Sequence, residues 1–194
     1  ADYKIVHHAS NGRSVYSFCM CPGGTVVAAS SEEGRVVTNG MSQYSRNERN
    51  ANAGMVVGIT PEDYPTDSAS FAEALGEDFA DATPPADRSH HPLAGIVLQR
   101  QLESLAFTMG GSNYEAPGQR VGDFLANQAS TAFGAVRPSY KPGVHLTDLR
   151  SALPGYAIDA MQEALPVFGR KIKGYDMPDA MLTGVETRTS APLR

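Results

Sequence analysis

The 194-residue sequence predicts an α+β fold, in which an antiparallel β meander is followed by helices and then by one returning strand. The first observation is that β-branched and aromatic runs bounded by Gly, Pro and Asn fill residues 3–60. The second is that apolar residues recur at helical spacing in several segments between Pro92 and Phe168. The third is the strand character of the closing run AMLTGVETRT.

The meander is predicted to contain five strands. Tyr3–His7 comes first, and the Asn11–Gly12 pair is favoured at a tight hairpin turn into Ser14–Cys21. Pro22–Gly24 is a run of strand breakers, so the second strand is expected to end there. The other three strands are the runs TVVAAS, RVVTNG and GMVVGIT.

Residues 61–91 are rich in Asp, Pro, Ala and Ser, which indicates a surface loop region with one short helix at about Ser70–Phe79. The main helical signals begin after this region. Gly110 and Gly111 end the next predicted helix, and Pro166 is expected to kink or end the last one. No G-x-G-x-x-G follows a strand, so the sequence holds no complete Rossmann unit. The main helices, about four in number, are predicted over Pro92–Met109, Pro117–Ala129, Leu146–Leu153 and Gly155–Phe168.

Apolar spacing also predicts which helical side chains face the core. These inward positions are Leu98, Leu102, Leu105 and Met109 in the first main helix, Val121, Phe124 and Leu125 in the second, and Ile158, Met161, Leu165 and Phe168 in the fourth.

The predicted order of elements indicates one domain of a larger protein. Residues 1–194 are interpreted as a single inserted or middle domain, with a β part at 1–60, a mainly helical part at 61–175 and a return strand at 176–194. A last strand that rejoins the first sheet would bring the two chain ends together, as domain insertion requires. The chain begins with Ala1 rather than Met, as a piece of a longer protein or a chain without its initiator would.

Composition narrows the possible partners and the compartment. The formal net charge of −5 gives no electrostatic reason to expect nucleic acid or an anionic membrane as a partner. No apolar run approaches the roughly 20 residues that span a bilayer, and the residues ADYKIVHHAS lack the layout of a secretory signal. Two cysteines are too few for a disulfide framework, so the predicted location is the cytoplasm.

Both cysteines lie in the run FCMCPGG, as Cys19 and Cys21. In an extended strand their Cα atoms would be about 6.6 Å apart with parallel side chains, whereas a disulfide needs Cβ atoms about 3.5–4.5 Å apart. Both are therefore expected to remain thiols. Three interpretations stay open: small residues packed at a strand end, a redox or cofactor-facing pair, or half of a metal site. The metal is least favoured because two of four zinc ligands are missing, and none is predicted.

Several blocks of the sequence resemble a known family. They are VYSFCMCPGGTVVAASSEEGRVVTNGMSQYSR, NANAGMVVGI, PLAGIVLQRQLESLAF, APGQRVGDFL, PSYKPGV and LTGVETRTSAP, which extend over almost the whole chain. In these blocks the chain resembles the uncharacterised FAD-dependent dehydrogenases, bacterial flavoproteins of the NAD(P)/FAD-dependent oxidoreductase type.

The resemblance implies a central substrate or cap domain of an FAD-dependent oxidoreductase, a dehydrogenase. Its cofactor would be FAD, with NAD(P)H as an optional second cofactor. The segments that bind FAD in such proteins lie outside these 194 residues, so the chain alone is expected neither to hold FAD nor to be active. The implied partners are the FAD-binding domain of the same polypeptide and a small-molecule substrate, with no nucleic acid and no membrane.

The resemblance also implies a set of site residues, and they are expected to converge on one surface that faces the flavin. Cys19 and Cys21 are the candidate catalytic residues. The candidate cofactor- or substrate-facing residues are Pro22, Gly23, Gly24, Asn39, Gly40, Met41, Ser42, Arg46, Asn50, Asn52, Gly184, Glu186, Thr187, Arg188 and Thr189.

Each motif has a plainer interpretation. TNGMS is also typical of a turn with Asn in a left-handed conformation, and Arg46 is equally expected as a solvated charge. Glu186 and Arg188 alternate with Thr187 and Thr189, as the outer face of an edge strand would. No nucleophile, base and orienting residue occur at a recognisable spacing, which argues against a hydrolase. The alternative function is a non-catalytic module that binds a ligand or a protein.

Overall fold

The computed structural model describes residues 4–188, and this part of the chain has the predicted α+β architecture, with two sheets and four α-helices. The first sheet contains β1 (Ile5–His8), β2 (Ser14–Ala28), β3 (Thr38–Ser42) and β4 (Asn50–Val57). The second contains β5 (Ala116–Arg120), β6 (Val144–Leu146) and β7 (Met181–Thr183). The helices are α1 (Ser68–Leu75), α2 (Ala94–Met109), α3 (Val121–Leu125) and α4 (Gly155–Lys171).

The first sheet is built around β2, which pairs antiparallel with each of the other three strands. The hairpin from β1 to β2 confirms the predicted turn, since Gly12 adopts a φ of 82° that glycine tolerates without strain. β1 pairs with the start of β2 and β4 pairs with β2 from Val15 to Gly24, so that Ser17 opposes both Ile5 and Met55. β3 pairs with the second half, from Gly24 onward.

The prediction that the second strand ends at Pro22–Gly24 is wrong. Ser14–Cys21 and the run TVVAAS belong largely to one strand, β2, whose pairing with β4 shifts register twice, between Phe18 and Cys21 and between Cys21 and Gly24. The breakers therefore mark bulges, which insert extra residues and bend a strand without ending it. The predicted meander of five strands becomes four for this reason.

The second sheet replaces two predicted helices. The predicted Pro117–Ala129 helix begins instead as strand β5, and only Val121–Leu125 is helical. The predicted Leu146–Leu153 helix is the end of β6 followed by a short 3-10 turn at Leu149–Ser151. Segments of three to five residues carry too little periodicity to be assigned from sequence, and close packing between strands decides their conformation.

The closing strand is present, but it joins a different sheet from the one expected. β7 pairs antiparallel with β5, with Thr183 opposite Gly118. Just beyond β7 the chain still reaches the first sheet, because the Val185 carbonyl accepts a hydrogen bond of 2.8 Å from the Thr38 amide. Whether the two chain ends lie close together depends on residues outside 4–188 and stays a prediction.

The two long helices were predicted well. α2 begins two residues later than expected and ends at Met109, where Gly110 fits against the Glu115 carbonyl with no room for a side chain. α4 continues five residues beyond Pro166, so the expected termination does not occur. Its four predicted core residues, Ile158, Met161, Leu165 and Phe168, are all buried, and that packing outweighs the hydrogen bond lost at proline.

α4 ties the first sheet to the α3 region. Phe168 packs with Val15 of β2, while Leu165 and Ile158 pack with Phe124 and other side chains of the α3 region. A separate cluster, which includes Val36, Ala106 of α2, Ala116 of β5 and Val185, joins the two sheets. No helix among residues 4–188 combines the length and the apolar character that a membrane span requires.

Glu163 of α4 links this helix to the first hairpin. Its carboxylate accepts hydrogen bonds from the Ser10 amide at 2.9 Å and the Ser10 hydroxyl at 2.7 Å, and it lies 2.7 Å from His7 Nε2. The bonds from Ser10, followed by the contact with His7, lower the pKa of Glu163 to about 2.

A pH-dependent loss of stability is expected from this linkage. A carboxyl with a depressed folded-state pKa stabilises the protein above its ordinary pKa of 4.5 and loses that effect as the pH falls toward about 2. Glu163→Gln is therefore expected to lower the melting temperature at pH 7 and to flatten its decline between these pH values. Thermal unfolding followed by circular dichroism measures this, with exposed Glu33→Gln as the control. Parallel pH profiles for both variants would contradict the assignment.

Candidate functional site

The predicted site residues of the first sheet meet where β2 is bulged. There Cys21 pairs with Asn52 of β4, and Gly24 pairs with both Ser42 of β3 and Asn50 of β4. Opposed residues in a ladder share a sheet face, so these five positions project to the same side. We call this side the glycine wall, and it also includes Gly40, which pairs with Val26 two residues along β2 from Gly24.

Two glycines of the wall leave space for the Asn52 side chain. A Cβ added to Gly24 would collide with the Met41 carbonyl oxygen and lie 2.7 Å from Asn52 Nδ2. A Cβ added to Gly40 would collide with Asn52 Oδ1. Neither backbone has a positive φ, so close approach rather than turn geometry explains glycine at both positions.

The amide of Asn52 has unused hydrogen-bonding capacity. Its Oδ1 and Nδ2 atoms are both buried, and neither has a hydrogen-bond partner within residues 4–188. Burying an unsatisfied amide costs about 1–3 kcal/mol per group, and such groups are uncommon in native structures. An orphaned amide beside two glycines is therefore a feature that calls for a partner.

Cys21 is a buried thiol at the centre of the wall. Its Sγ donates a hydrogen bond of 3.1 Å to the Cys19 carbonyl, and no disulfide joins the two residues. Burial raises the pKa of Cys21, the neighbouring Cys19 raises it further, and the Ser42 hydroxyl and the Arg46 charge oppose the rise only in part. Reactive cysteines have lowered pKa values, so Cys21 fits the packing interpretation best. The catalytic role of Cys19 and Cys21 stays a prediction.

Slow alkylation of Cys21 follows from its raised pKa and its burial. In a Cys19→Ser variant, iodoacetamide at pH 7 is expected to modify Cys21 at least about tenfold more slowly than it does in the same variant unfolded in guanidinium. Intact-protein mass spectrometry over time gives both rates, and the Cys21→Ser variant reports Cys19 separately. Equal rates in the folded and unfolded protein would show an accessible thiolate.

Asn39 and Met41 lie on the opposite face of the sheet. They pair with Val27 and Thr25, which alternate with the wall positions of β2. Both are exposed, Met41 by 48%. The structure therefore splits the predicted TNGMS motif, with Gly40 and Ser42 on the wall and Asn39 and Met41 behind it.

The loop from Gln43 to Arg49 covers one end of the wall. The Glu48 amide donates to the Gly23 carbonyl at 3.3 Å, and a Cβ on Gly23 would collide with the Arg46 carbonyl oxygen. Arg46 and Gly23 both have positive φ values, of 50° and 63°. The loop side chains are exposed, as is Pro22, so this edge of the wall is open to a ligand or partner.

Glu186 extends the wall toward the second half of β4. Gly54 lies two residues after Asn52 in β4 and therefore on the same face of the sheet. A Cβ added to Gly54 would lie 3.2 Å from Glu186 Oε2 and 3.4 Å from the Phe18 ring. Burial raises the pKa of Glu186, and no hydrogen bond to its carboxylate occurs within the part of the chain that the structure describes. An unpartnered carboxyl with a raised pKa is typical of a functional site.

The other residues of the closing segment point elsewhere. The Gly184 amide donates to the Pro117 carbonyl at 2.9 Å and belongs with the second sheet. The side chains of Thr187 and Arg188 bind Glu103 of α2 rather than the wall. Thr189 lies outside the described residues. Of the predicted C-terminal residues, Glu186 is the one that the structure brings to the glycine wall.

Glu103 is a key residue that sequence reasoning missed. It is 0% exposed, and its carboxylate accepts four hydrogen bonds, from Gln99 Nε2 (2.9 Å), Thr187 Oγ1 (2.6 Å), Arg188 Nε (3.0 Å) and Arg188 Nη2 (2.8 Å). Burial alone would raise the pKa of Glu103, but the bonds from Arg188, Thr187 and Gln99 outweigh it and lower the pKa. Glu103 lies three residues before the buried Ala106, and this helical spacing was a signal that Glu103 faces the core. Leu105, which was predicted to face the core, is 40% exposed.

The wall offers hydrogen-bond donors and acceptors but no metal site. Among residues 4–188, no group of three or more His, Cys, Asp or Glu side chains is placed to hold a metal ion. The wall presents the side-chain amide of Asn52, the hydroxyl of Ser42, the carboxyl of Glu186 and, at the glycines, backbone that a ligand can approach closely.

Comparison with known proteins identifies two similarities. The profile of a family described as "FAD-dependent protein, C-terminal domain-like" matches residues 1–189. An uncharacterized protein of Clostridium beijerinckii is 47% identical over 195 residues. That alignment covers 100% of this chain and 32% of the relative, so the chain spans about one third of the relative's length.

Proposed function

The chain belongs to the family of FAD-dependent protein C-terminal domains, and from that premise we propose that it is the substrate or cap domain of a flavoprotein oxidoreductase of the dehydrogenase type. The observation that carries this proposal is the glycine wall, in which the orphaned amide of Asn52 lies beside Gly24, Gly40 and Cys21. In the whole protein the wall would lie over the flavin, with the chain as a single inserted or middle domain.

The wall fits the ring end of a flavin. The pyrimidine edge of the ring presents both hydrogen-bond acceptors and a donor, which an amide with a vacant Nδ2 and Oδ1 complements. Glycines beside it let a flat ring approach the backbone, and Ser42 and Arg46 add donors at the open edge. These residues would hold the ring, and bound FAD would supply the hydride chemistry.

The wall does not fit the other end of the cofactor. The sequence has no Gly-rich turn between a strand and a helix, the arrangement that binds a dinucleotide pyrophosphate. The FAD-binding domain of the same polypeptide is therefore the proposed partner, and this chain alone is not expected to retain FAD. The exposed side chain of Tyr44, in the loop at the open edge of the wall, offers apolar surface for that contact.

Glu186 is the candidate proton donor or acceptor in this proposal. Oxidation or reduction of a small organic substrate by hydride transfer is accompanied by proton transfer, which needs a group that titrates nearer to neutral pH than an ordinary carboxyl. Burial raises the pKa of Glu186 in that direction. The substrate is proposed to be a small molecule, NAD(P)H an optional second cofactor, and the cytoplasm the location.

The stability of the chain provides a separate readout of Glu186. A carboxyl with a raised folded-state pKa favours the folded state while protonated and opposes folding once the pH rises through that pKa. Glu186→Gln is therefore expected to raise the melting temperature at pH 7 and to have little effect at pH 4. Thermal unfolding at both values measures this, with exposed Glu73→Gln as control. A lower melting temperature for Glu186→Gln at pH 7 would contradict an unpartnered carboxylate.

The second candidate function is a non-catalytic module that binds a ligand or a protein. The raised pKa of Cys21 favours it, because a buried thiol that stays protonated is a poor nucleophile. In this case the wall would recognise its ligand through Asn52 and the glycines without any electron transfer.

The decisive experiment uses the full-length polypeptide. We expect it to purify with flavin absorption bands, and Asn52→Leu to shift those bands or to weaken FAD retention about tenfold, as expected for the loss of two hydrogen bonds. Asn39→Leu is the matched control, because it changes an amide on the opposite face. A full-length protein that is colourless and takes up no FAD would end the oxidoreductase proposal. Identical flavin properties in both variants would move the flavin away from the wall.

A further inference from the structure

A groove beside the glycine wall has a surplus of hydrogen-bond donors. It is an open groove with a volume of about 390 Å³. It lies where the bulged end of β2 and the start of β4 meet the loop after Arg137. Its lining residues are Gly24, Thr25, Glu48, Arg49, Asn50, Pro138, Ser139 and Lys141.

The loop holds two of these side chains in place. The Arg137 carbonyl accepts a hydrogen bond of 2.6 Å from Asn50 Nδ2 and one of 2.9 Å from Arg49 Nη2. These bonds restrain both side chains beside the groove and reduce the entropy that a ligand contact would cost. The Arg137 side chain makes a cation–π contact, with its guanidinium carbon 5.4 Å from the centre of the Phe133 ring.

Three side chains at the groove, Arg49, Ser139 and Lys141, keep N–H or O–H groups that have no protein acceptor among residues 4–188. Ser139 Oγ already accepts from the Val26 amide at 2.9 Å, so its own proton is available to a ligand. Within residues 4–188, no bond engages the ammonium of Lys141, and none engages the rest of the Arg49 guanidinium. Two cations and one hydroxyl therefore outnumber the single carboxylate of Glu48, in a chain with a formal net charge of −5.

We propose that this groove binds the anionic group of a small molecule, a carboxylate or a phosphate, through Arg49, Lys141 and Ser139. A guanidinium can bind either anion with two parallel hydrogen bonds, while the ammonium adds a point charge. Because Gly24 and Asn50 belong both to the groove and to the wall, a molecule anchored here extends toward Asn52 and Cys21. Identification of this molecule as the substrate rests on the proposed function, whereas anion binding by the groove does not.

The test is an NMR titration of the 194-residue chain with sodium phosphate and, separately, with sodium succinate, at constant ionic strength. We expect saturable shifts of the backbone amides of Gly24, Thr25, Asn50 and Ser139 with at least one anion. Saturation by phosphate alone identifies a phosphate group, and saturation by succinate alone identifies a carboxylate. Shifts that grow linearly with both anions, or that spread evenly over the surface, overturn the proposal.

Charge variants distinguish the groove from general surface attraction. Arg49→Gln and Lys141→Gln are each expected to weaken binding about tenfold, the effect of one charge-assisted hydrogen bond. Glu48→Gln is expected to strengthen binding several-fold, because it removes the opposing charge. Arg88→Gln and Lys173→Gln carry the same charge changes at exposed positions elsewhere and are expected to leave binding unchanged. Equal weakening by the control variants contradicts a site in the groove.

The two experiments distinguish an error in the anion-site proposal from an error in the proposed function. A full-length protein that retains FAD, with a chain that shows no saturable anion shifts, keeps the oxidoreductase assignment and loses the anion site. A colourless full-length protein whose groove still binds anions keeps the site and loses the flavin.

Discussion

Glu103→Leu is expected to lower the free energy of unfolding by about 3 kcal/mol, because it removes the nearer carboxylate of the part-buried Arg188 and leaves it with Glu32, whose Oε1 lies 3.8 Å from Arg188 Nη2. Breaking a buried pair by removal of one partner costs about 3–5 kcal/mol, and the lower figure applies because Arg188 keeps Glu32 and some contact with water. The variant also frees Thr187 Oγ1 and Gln99 Nε2, which both donate to Glu103. Urea unfolding followed by circular dichroism measures the change.

The controls separate the ion pair from the loss of a helical glutamate. Glu73→Leu makes the same substitution at an exposed position of α1 and is expected to change stability by less than about 0.5 kcal/mol. The double variant Glu103→Leu, Arg188→Leu is expected to recover part of the loss, because it removes the charge of Arg188 along with its nearest partner. Additive effects of the two substitutions would show that the carboxylate and the guanidinium do not stabilise each other.

This ion pair also decides where the closing segment lies. Thr187 and Arg188 are held against α2, so the preceding residue, Glu186, is directed toward Gly54 and the glycine wall. In the proposed function, Glu103 would thereby be a positioning residue for Glu186. Three arginines, Arg35, Arg100 and Arg188, share the two carboxylates of Glu32 and Glu103, so this cluster has an excess of positive charge. Burial and the charge of Arg100 lower the pKa of Arg35.

Gly24→Ala is expected to destabilise the chain by about 2–3 kcal/mol, the usual range for an overpacked site with little room to adjust. The new methyl group would meet the Met41 carbonyl of β3, Asn52 Nδ2 and Cys21 Cβ at once. The obstacle on one side is backbone, so β3 must move away from β2 rather than one side chain rotating. Urea unfolding measures the loss, and in the full-length protein FAD retention is expected to fall with it.

Gly155→Ala is the matched control for this substitution. A Cβ at Gly155 meets no atom within 4 Å, and neither Gly155 nor Gly24 has a positive φ, so the control makes the same substitution without the steric clash. Gly155 begins α4, where alanine is expected to be neutral or slightly stabilising. If Gly24→Ala is as stable as this control, the strands tolerate separation and the wall is not closely packed.

Local chemistry made several features predictable from sequence. The Asn11–Gly12 turn, the limits of α2 at Met109 and the buried face of α4 follow from interactions between residues a few positions apart. Spacing within one helix specifies which side chains share a face, and this holds for Ile158 and Phe168 wherever the helix packs. The same local rules failed for β5 and β6, whose three to five residues become strands only because they lie beside one another.

The sequence by itself determined the fold class, the long helices, the family and the small residues around the two cysteines, because periodicity, turn preference and residue order are properties of the chain alone. Tertiary structure alone decided that Pro22–Gly24 forms bulges within β2, that the Asn52 amide is buried without a partner, and that Glu103 holds Arg188 while Glu186 faces Gly54. Each of these depends on which distant backbone lies within a few ångströms, and no spacing along the chain encodes that distance.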